Sequence, residues 1–368
     1  MIVPLAIFLP QPSKNSMFCE PTTFHEVLRV INNLNIHKSP GPDELGPKII
    51  KSVGDIIAHP LSFVYNLSFT CGIVPDDLKI SKVIPLYKKG ERHVPGNYRP
   101  ISLLNTFEKI LEKLMYKRLY EYMAFNSPLY KYQFGFRKNH STSLALISVM
   151  DEIYHQIDNG NIIAGIYFDL QKAFDTVDHG ILLAKMRNYG VRGIVLNWFR
   201  NSNRKQYVIV DGVSSSESAV DCGVPQGSVL GPLLFLIYMD DIQYCLYNAN
   251  LYLFADDTNL FVCGRTLDTV MAKANSSVKD LVLWFQVNRL SVNLDKTCYS
   301  IFGHSDVSDS LELKIGTTVL KCVTTCKYLG IIIDDKLSWN DHIDYVYKKL
   351  PNLLVYSTVY VIDYLVNY

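Results

Sequence analysis

Three aspartates occupy positions where an apolar chain has little use for a charge. Asp169 closes the run IIAGIYFD (162–169), and Asp256 and Asp257 lie at the bend of LYLFADDTNLF (251–261). A carboxylate at the end of an apolar strand is costly unless it is solvated, paired or bound to a cation. Carboxylates offered from neighbouring strands suit magnesium, a hard ion that prefers oxygen ligands. Two such ions about 3.5–4 Å apart stabilise both the attacking and the leaving oxygen of an in-line phosphoryl displacement. Asp-Asp also occurs at 76–77, 240–241 and 334–335, where it reads as a turn or cap; only 256–257 has apolar strands of similar length on both sides.

Two further segments carry chemistry. Phe174 follows Asp169 within YFDLQKAFDTVDH (167–179). Its ring could pack under a nucleotide sugar and clash with a 2′-hydroxyl, or simply be a core aromatic at the start of the next helix. Asp178 reads as the cap of that helix. In GVPQGSVLGP (223–232), Gly223, Pro225 and Gly227 shape a tight turn before a helix whose free N–H groups could meet a phosphate or base edge. Gln226 could hydrogen-bond a base or sugar, although the bare pattern is only a Gly/Pro turn.

The elements that must position these residues follow from periodicity. Residues 1–20 read as a loose tail. From Thr23 an amphipathic helix places Phe24, Val27, Leu28, Ile31 and Leu34 on one face. A Pro/Gly loop spans 37–47, and helices are expected over 48–71 and 104–125, with a strand over 83–89 between them. The continuous apolar run 161–168 predicts a buried central strand. Helices follow at 179–188 and 194–200, short strands at 206–210 and 218–222, and a buried helix at 228–239. Residues 251–255 and 258–263 form a hairpin around the aspartate pair, and a long helix runs over 267–288. Strands at 296–302, 311–316 and 327–333 complete an α+β sheet packed on helices.

Length and composition bound the reading without deciding it. The chain has 368 residues, 48% of them hydrophobic, ample for a large core and incompatible with disorder. Lys+Arg 36 against Asp+Glu 35 gives +1, which alone argues against a nucleic-acid binder. The charge is uneven, however: Lys79 to His140 holds thirteen Lys/Arg and four Glu, a block of +9, leaving −8 elsewhere. The eight cysteines contain no CxxC pair and read as reduced intracellular thiols, with neither disulfides nor a zinc site. MIVPLAIFLP lacks the basic flank of a signal peptide. Residues 351–368 are apolar but interrupted by Pro351, Asn352, Asp363 and Asn367, which favours a buried or frayed segment over a membrane span of about 20 apolar residues.

Taken in order, YFDLQKAFDTVDH, GVPQGSVLGPLLFLIYMDD, LFADDTNLF, WFQVNRLSVNLDKT and KYLGI resemble the successive palm motifs of a reverse transcriptase. The likeness is nearest to jockey-like non-LTR (LINE-type) retrotransposons of animals. NYRPISLL (97–104) and QFGFRKNHST (133–142) are similar to that family's finger motifs. KSPGPDELGPKII and VIPLYKKGE resemble its N-terminal extension and first finger strand. The resemblance covers about residues 18–350, and seven motifs in one order make it specific.

The resemblance implies a right-hand polymerase, with fingers and a ferredoxin-like antiparallel palm, that extends a DNA primer on an RNA template from deoxynucleoside triphosphates. It assigns two Mg2+ ions, with Mn2+ as a substitute, to Asp169, Asp256 and Asp257 and the Leu170 carbonyl. It makes Phe174 the aromatic sugar gate and Gln226 and Gly227 the lining of the incoming nucleotide. Arg99, with one of Lys82, Lys88 or Lys89, would hold the triphosphate, arginine being suited to bidentate phosphate contact. Arg137 matches a template or structural contact, and Tyr328, Leu329 and Gly330 match the primer grip. Lys296 stands at the place of a general acid to pyrophosphate, although by itself it reads as an exposed lysine. One ion would help deprotonate the primer 3′-hydroxyl and the other would steady the charge on pyrophosphate. Base pairing would supply sequence specificity, so the protein would hold backbone and shape.

Implied domains are an N-terminal extension over 1–78, the reverse transcriptase domain over 79–330 and a shortened thumb over 331–368. The short flanks lead us to expect a truncated element copy without the endonuclease, whose alternative role is a catalytically impaired remnant that binds nucleic acid. A nucleotide cyclase on a similar sheet is disfavoured, since it needs neither GVPQG nor YLG. The family implies nuclear action, and the sequence itself leads us to expect no membrane span. Asp240 departs from the family's usual asparagine and Gln171 from its usual small residue, and neither change removes a catalytic group.

Overall fold

The computed structural model describes residues 7–201, 204–247, 249–304 and 311–350. The expectation for 351–368 lies outside them. Among the described residues, two compact units are interleaved along the chain, one drawn from 7–136, 170–245 and 283–291, the other from 137–169, 246–282 and 292–350. Helices and sheets are mixed in an α+β arrangement.

In the first unit, the strands Ile80–Tyr87 and Tyr98–Leu103 pair antiparallel, and Ile80–Tyr87 also pairs in parallel with Lys205–Val210. The helix Phe24–Asn32 opens as expected, with the Thr23 side chain accepting from the Glu26 N–H and Val27 and Ile31 buried. The helix Thr106–Asn126 buries Ile110, Leu111, Leu114, Met115 and Leu119, and Gly231–Met239 is buried almost throughout. This last helix starts later than 228, because Gly231 and Pro232 occupy its first turn, where the missing proline N–H is harmless. The expected helix over 48–71 divides into Pro47–Ser52 and Gly54–Cys71.

Two readings of this unit are corrected. Residues 7–20 are no loose tail: Met17 donates to the Gly190 carbonyl at 2.9 Å, Arg192 donates to Ser13 O at 2.6 Å, and Phe8 and Met17 are buried. The pair Asp240-Asp241 is more than a cap: Asp240 does close the helix Gly231–Met239, but the pair is not an idle surface one. It opens the short 3-10 helix Asp240–Cys245, and both residues are buried. Asp241 pairs with the fully buried Lys185 at 2.6 Å and accepts from Trp284 Nε1 at 3.2 Å. Asp240 accepts from the Tyr130 N–H at 2.7 Å and the Tyr189 hydroxyl at 3.0 Å. Burial pushes the Asp240 carboxyl up to about 6, against those two hydrogen bonds.

The second unit is built on a five-stranded sheet whose centre is Ile162–Phe168, every residue of it buried. It pairs antiparallel with Asp257–Gly264 on one side and Cys298–Phe302 on the other. The helix Thr142–Asp158 packs on Ile162–Phe168 and on Asn250–Phe254, burying Ala145, Val149 and Ile153. The run 327–333 is not one strand. Thr325–Tyr328 and Ile331–Asp334 form a hairpin, with Leu329 at φ 45° and Gly330 at φ 95° in the turn. Two consecutive positive φ values are what a two-residue hairpin turn of matching twist requires. Of 311–316 only Lys314–Ile315 is strand.

Candidate active site

Sheet register gathers the carboxylates of the second unit. Phe168 pairs with Thr258, so Asp169, one residue on, comes beside Asp257, one residue back. Phe254 pairs with Asp257, leaving Ala255 and Asp256 as a two-residue turn. Ala255 adopts φ 56°, a left-handed conformation that L side chains rarely take, which marks the turn as strained at the point where it presents Asp256. Desolvation, and then the charges of Asp256 and Asp169, push the Asp257 carboxyl up to about 6, although the residue as a whole is open to solvent.

Asp169 is held by the turn that follows the helix Leu267–Val287. Its N–H donates to Thr297 Oγ1 at 3.3 Å, and its carbonyl accepts from the Asn293 N–H at 2.7 Å. Its carboxylate accepts from Asn293 Nδ2 at 2.9 Å and pairs with Lys296 Nζ at 3.3 Å. Lys296 is largely exposed, so this pair adds little stability. Tyr328 is buried with its ring 6.4 Å from that of Tyr167, and burial and then the Asp257 charge raise its hydroxyl above the usual phenol range. The Leu329-Gly330 turn follows directly.

Among the described residues, no three His, Cys, Asp or Glu side chains are drawn together tightly enough to hold an ion as they stand. The donor set still fits a hard dication chemically. Asp256 and Asp169 both lie near enough to act on Asp257, and a divalent ion would offset their charge.

The first unit carries the other candidate residues apart from Arg137. The loop 223–227 is laced to the segment after Asp169: Val224 N donates to Phe174 O and Gly223 N to Val177 O, each at 2.8 Å, and Gln226 Nε2 donates to Asp175 Oδ1 at 2.9 Å. Asp178 caps its helix, accepting from the Ile181 N–H at 2.8 Å. Ser102 N donates to Gln226 O at 2.8 Å. Gly227 has φ 127°, and a Cβ there would meet Ser102 O at 2.5 Å, so both conformation and space demand glycine. Buried Glu112, ion-paired with the half-buried Arg204 at 2.6 Å, accepts from the Val229 N–H at 2.7 Å and anchors the far side of the loop. The Phe174 ring stacks on Phe235 at 4.2 Å, with Phe136 edge-on at 5.8 Å.

The basic candidates divide. Arg99 lies opposite Leu86 and is exposed, and Lys88 continues the same ladder, its N–H donating to Asn97 O at 2.9 Å. Lys82 lies four residues from Leu86, ~13 Å along the strand, and its ammonium pairs with Glu44 at 2.7 Å. Leu170 is buried. Arg137 is half-buried, its carbonyl accepting from the His140 N–H at 3.3 Å. Sequence reasoning missed Asn293, Thr297, Asp175 and Phe136. All four lie inside quoted motifs, and three of them, Thr297, Asp175 and Phe136, adjoin residues that were singled out.

A family model for reverse transcriptase (RNA-dependent DNA polymerase) matches residues 86–333, which contain both candidate sets apart from Lys82. The chain belongs to the reverse transcriptase family. Within it, the chain is similar to the probable RNA-directed DNA polymerase from transposon BS of Drosophila melanogaster, 29% identical over 91% of this chain and 38% of the relative. It is also similar to the RNA-directed DNA polymerase from mobile element jockey of the same species, at 27% over 91% and 38% respectively. The probable polymerase from transposon X-element is 27% identical over 88% of this chain. This reverse transcriptase is thus jockey-like, and it spans under two-fifths of the length of those curated relatives. No helix among the described residues is long and apolar enough to cross a membrane. The eight cysteines form no disulfide.

Proposed function

We propose that this chain is the polymerase portion of a retrotransposon protein and extends a primer 3′-hydroxyl on an RNA template from deoxynucleoside triphosphates. The observation that carries the reading is the convergence of Asp169, Asp256 and Asp257 on adjacent strands inside the family match. The sheet centred on Ile162–Phe168 takes the role of the palm, and the hairpin Ile80–Tyr87 with Tyr98–Leu103 that of the fingers.

Asp169, Asp256, Asp257 and the Leu170 carbonyl would hold two magnesium ions, with manganese as a substitute. Bound there, they supply the positive charge that favours the primer alkoxide and the leaving pyrophosphate. The protein's own residues do the rest. Asn293 and Thr297 fix the Asp169 backbone and carboxylate in place before reaction. Arg99 and Lys88, on one end of the fingers hairpin, offer charge to the triphosphate, while Lys82 would have to leave Glu44 to join them. Gln226 and Gly227 line the nucleotide, and Phe174 stands against a 2′-hydroxyl. Lys296 is placed to hold a proton for the leaving group once it parts from Asp169. Tyr328, Leu329 and Gly330 steady the primer end, and Arg137 contacts template.

Purified protein should extend a DNA primer annealed to RNA when given Mg2+ and deoxynucleotides. Salt-dependent hybrid binding with no incorporation would contradict the polymerase reading and leave a nucleic-acid-binding remnant.

A further inference from the structure

Phe136 is an anomaly for a surface residue. It lies in QFGFR, is 52% exposed, and holds φ 54°, a left-handed conformation that a bulky side chain rarely adopts. Its turn is built with care: buried Gln133 accepts the Gly135 N–H on its side-chain oxygen at 2.9 Å, and its own N–H donates to Tyr130 O at 3.0 Å. Strain kept at an exposed position points to a task outside the core.

The ring's contact suggests that task. Phe136 meets Phe174 at 5.8 Å and 86°, and Phe174 in turn lies nearly parallel on the fully buried Phe235, at 4.2 Å and 17°. Phe174 is therefore held by one ring stacked along its plane and a second set at a right angle. Edge-to-face and stacked pairs are both favoured geometries, so each contact resists rotation of the middle ring. A steric gate discriminates only as far as it refuses to move. A ring stacked on Phe235 alone could still tilt away from a bulkier sugar.

We infer that Phe136 is a positioning residue for sugar selection: it locks the Phe174 ring against Phe235 so that a ribonucleotide's 2′-hydroxyl cannot push it aside. The inference rests on the proposed role of Phe174 at the nucleotide sugar.

The test compares kcat/KM for dCTP and CTP in the full chain on an RNA template, for wild type, Phe136→Ala, Phe136→Leu, Phe136→Tyr, Phe174→Ala and the double alanine variant. Phe136→Ala should lower the dCTP/CTP ratio roughly tenfold, mainly by improved use of CTP, a size typical of losing one steric element. Phe136→Leu, which keeps bulk without an aromatic edge, should show the same direction, and Phe136→Tyr should keep the ratio within about threefold. The double variant should match Phe174→Ala alone, because the two residues act through one ring. An unchanged ratio in folded Phe136→Ala and Phe136→Leu, with a lowered ratio in Phe174→Ala, overturns the inference and leaves the sugar gate standing. An unchanged ratio in Phe174→Ala overturns both.

Discussion

Asn293 holds Asp169 at two points. Its side-chain amide donates to the carboxylate at 2.9 Å, and its backbone N–H donates to the carbonyl of the same residue at 2.7 Å. The second contact is independent of side chain, and Thr297 also closes on the Asn293 carbonyl, through its N–H at 2.9 Å and its hydroxyl at 2.8 Å. The turn should therefore survive loss of the amide while Asp169 loses its orientation.

Asn293→Ala is expected to raise the Mg2+ concentration for half-maximal primer extension about tenfold or more, the usual effect of removing a residue that orients a ligand. Mn2+ binding followed by electron paramagnetic resonance should weaken in parallel, while the thermal midpoint shifts little. Unchanged metal dependence would show that Asp169 needs no such support.

Asp240 offers a stability test. Its carboxyl is pushed up to about 6 by burial, above the ordinary aspartate value, so the folded protein binds this proton more tightly than the unfolded chain. Its contribution is most favourable below about pH 4, and stability is lost as pH rises to about 6. Asp240→Asn keeps an acceptor for the Tyr130 N–H and removes the buried charge. The variant should gain about 1–3 kcal/mol over wild type at pH 7.5 and almost nothing at pH 4. Urea midpoints at the two pH values measure the difference; a gain independent of pH would contradict this account.

Gly227→Ala should damage the nucleotide loop without unfolding the protein. Ser102 O would lie 2.5 Å from the new Cβ, and φ 127° is foreign to alanine, so the loop must move off the strand Tyr98–Leu103. The KM for deoxynucleotides should rise about tenfold or more, in line with the usual penalty for a strained site. Steady-state kinetics at fixed primer-template measure it, and an unchanged KM would remove Gly227 from the nucleotide site.

Local pattern made the parts around the carboxylates legible. The run IIAGIYF reads as a strand buried on both faces, and paired apolar runs around Asp256-Asp257 specified a hairpin. Capping by Asp178 was equally readable. What stayed hidden depends on distant partners. Asp240 and Asp241 are buried because Lys185, on the helix His179–Asn188, and Tyr189, at its C-terminal end, are there to receive them. Residues 7–17 have no periodicity, and their order comes from backbone bonds to the 188–190 segment. The break in KYLGIII was masked by Leu329, a residue that turns seldom use at positive φ. Asn293 escaped notice because its hydrogen bond to Asp169 joins segments more than a hundred residues apart.

The most direct test of the central claim is single-turnover incorporation of one deoxynucleotide onto a DNA primer annealed to RNA, in wild type, Asp169→Asn, Asp256→Asn and Asp257→Asn. If these carboxylates carry the chemistry, Asp169→Asn and Asp256→Asn should each lose at least ~10³-fold in rate, with a smaller loss for Asp257→Asn. Hybrid affinity should stay within about threefold, because phosphate contacts set it. Incorporation by Asp169→Asn or Asp256→Asn at a rate near that of wild type would contradict the account.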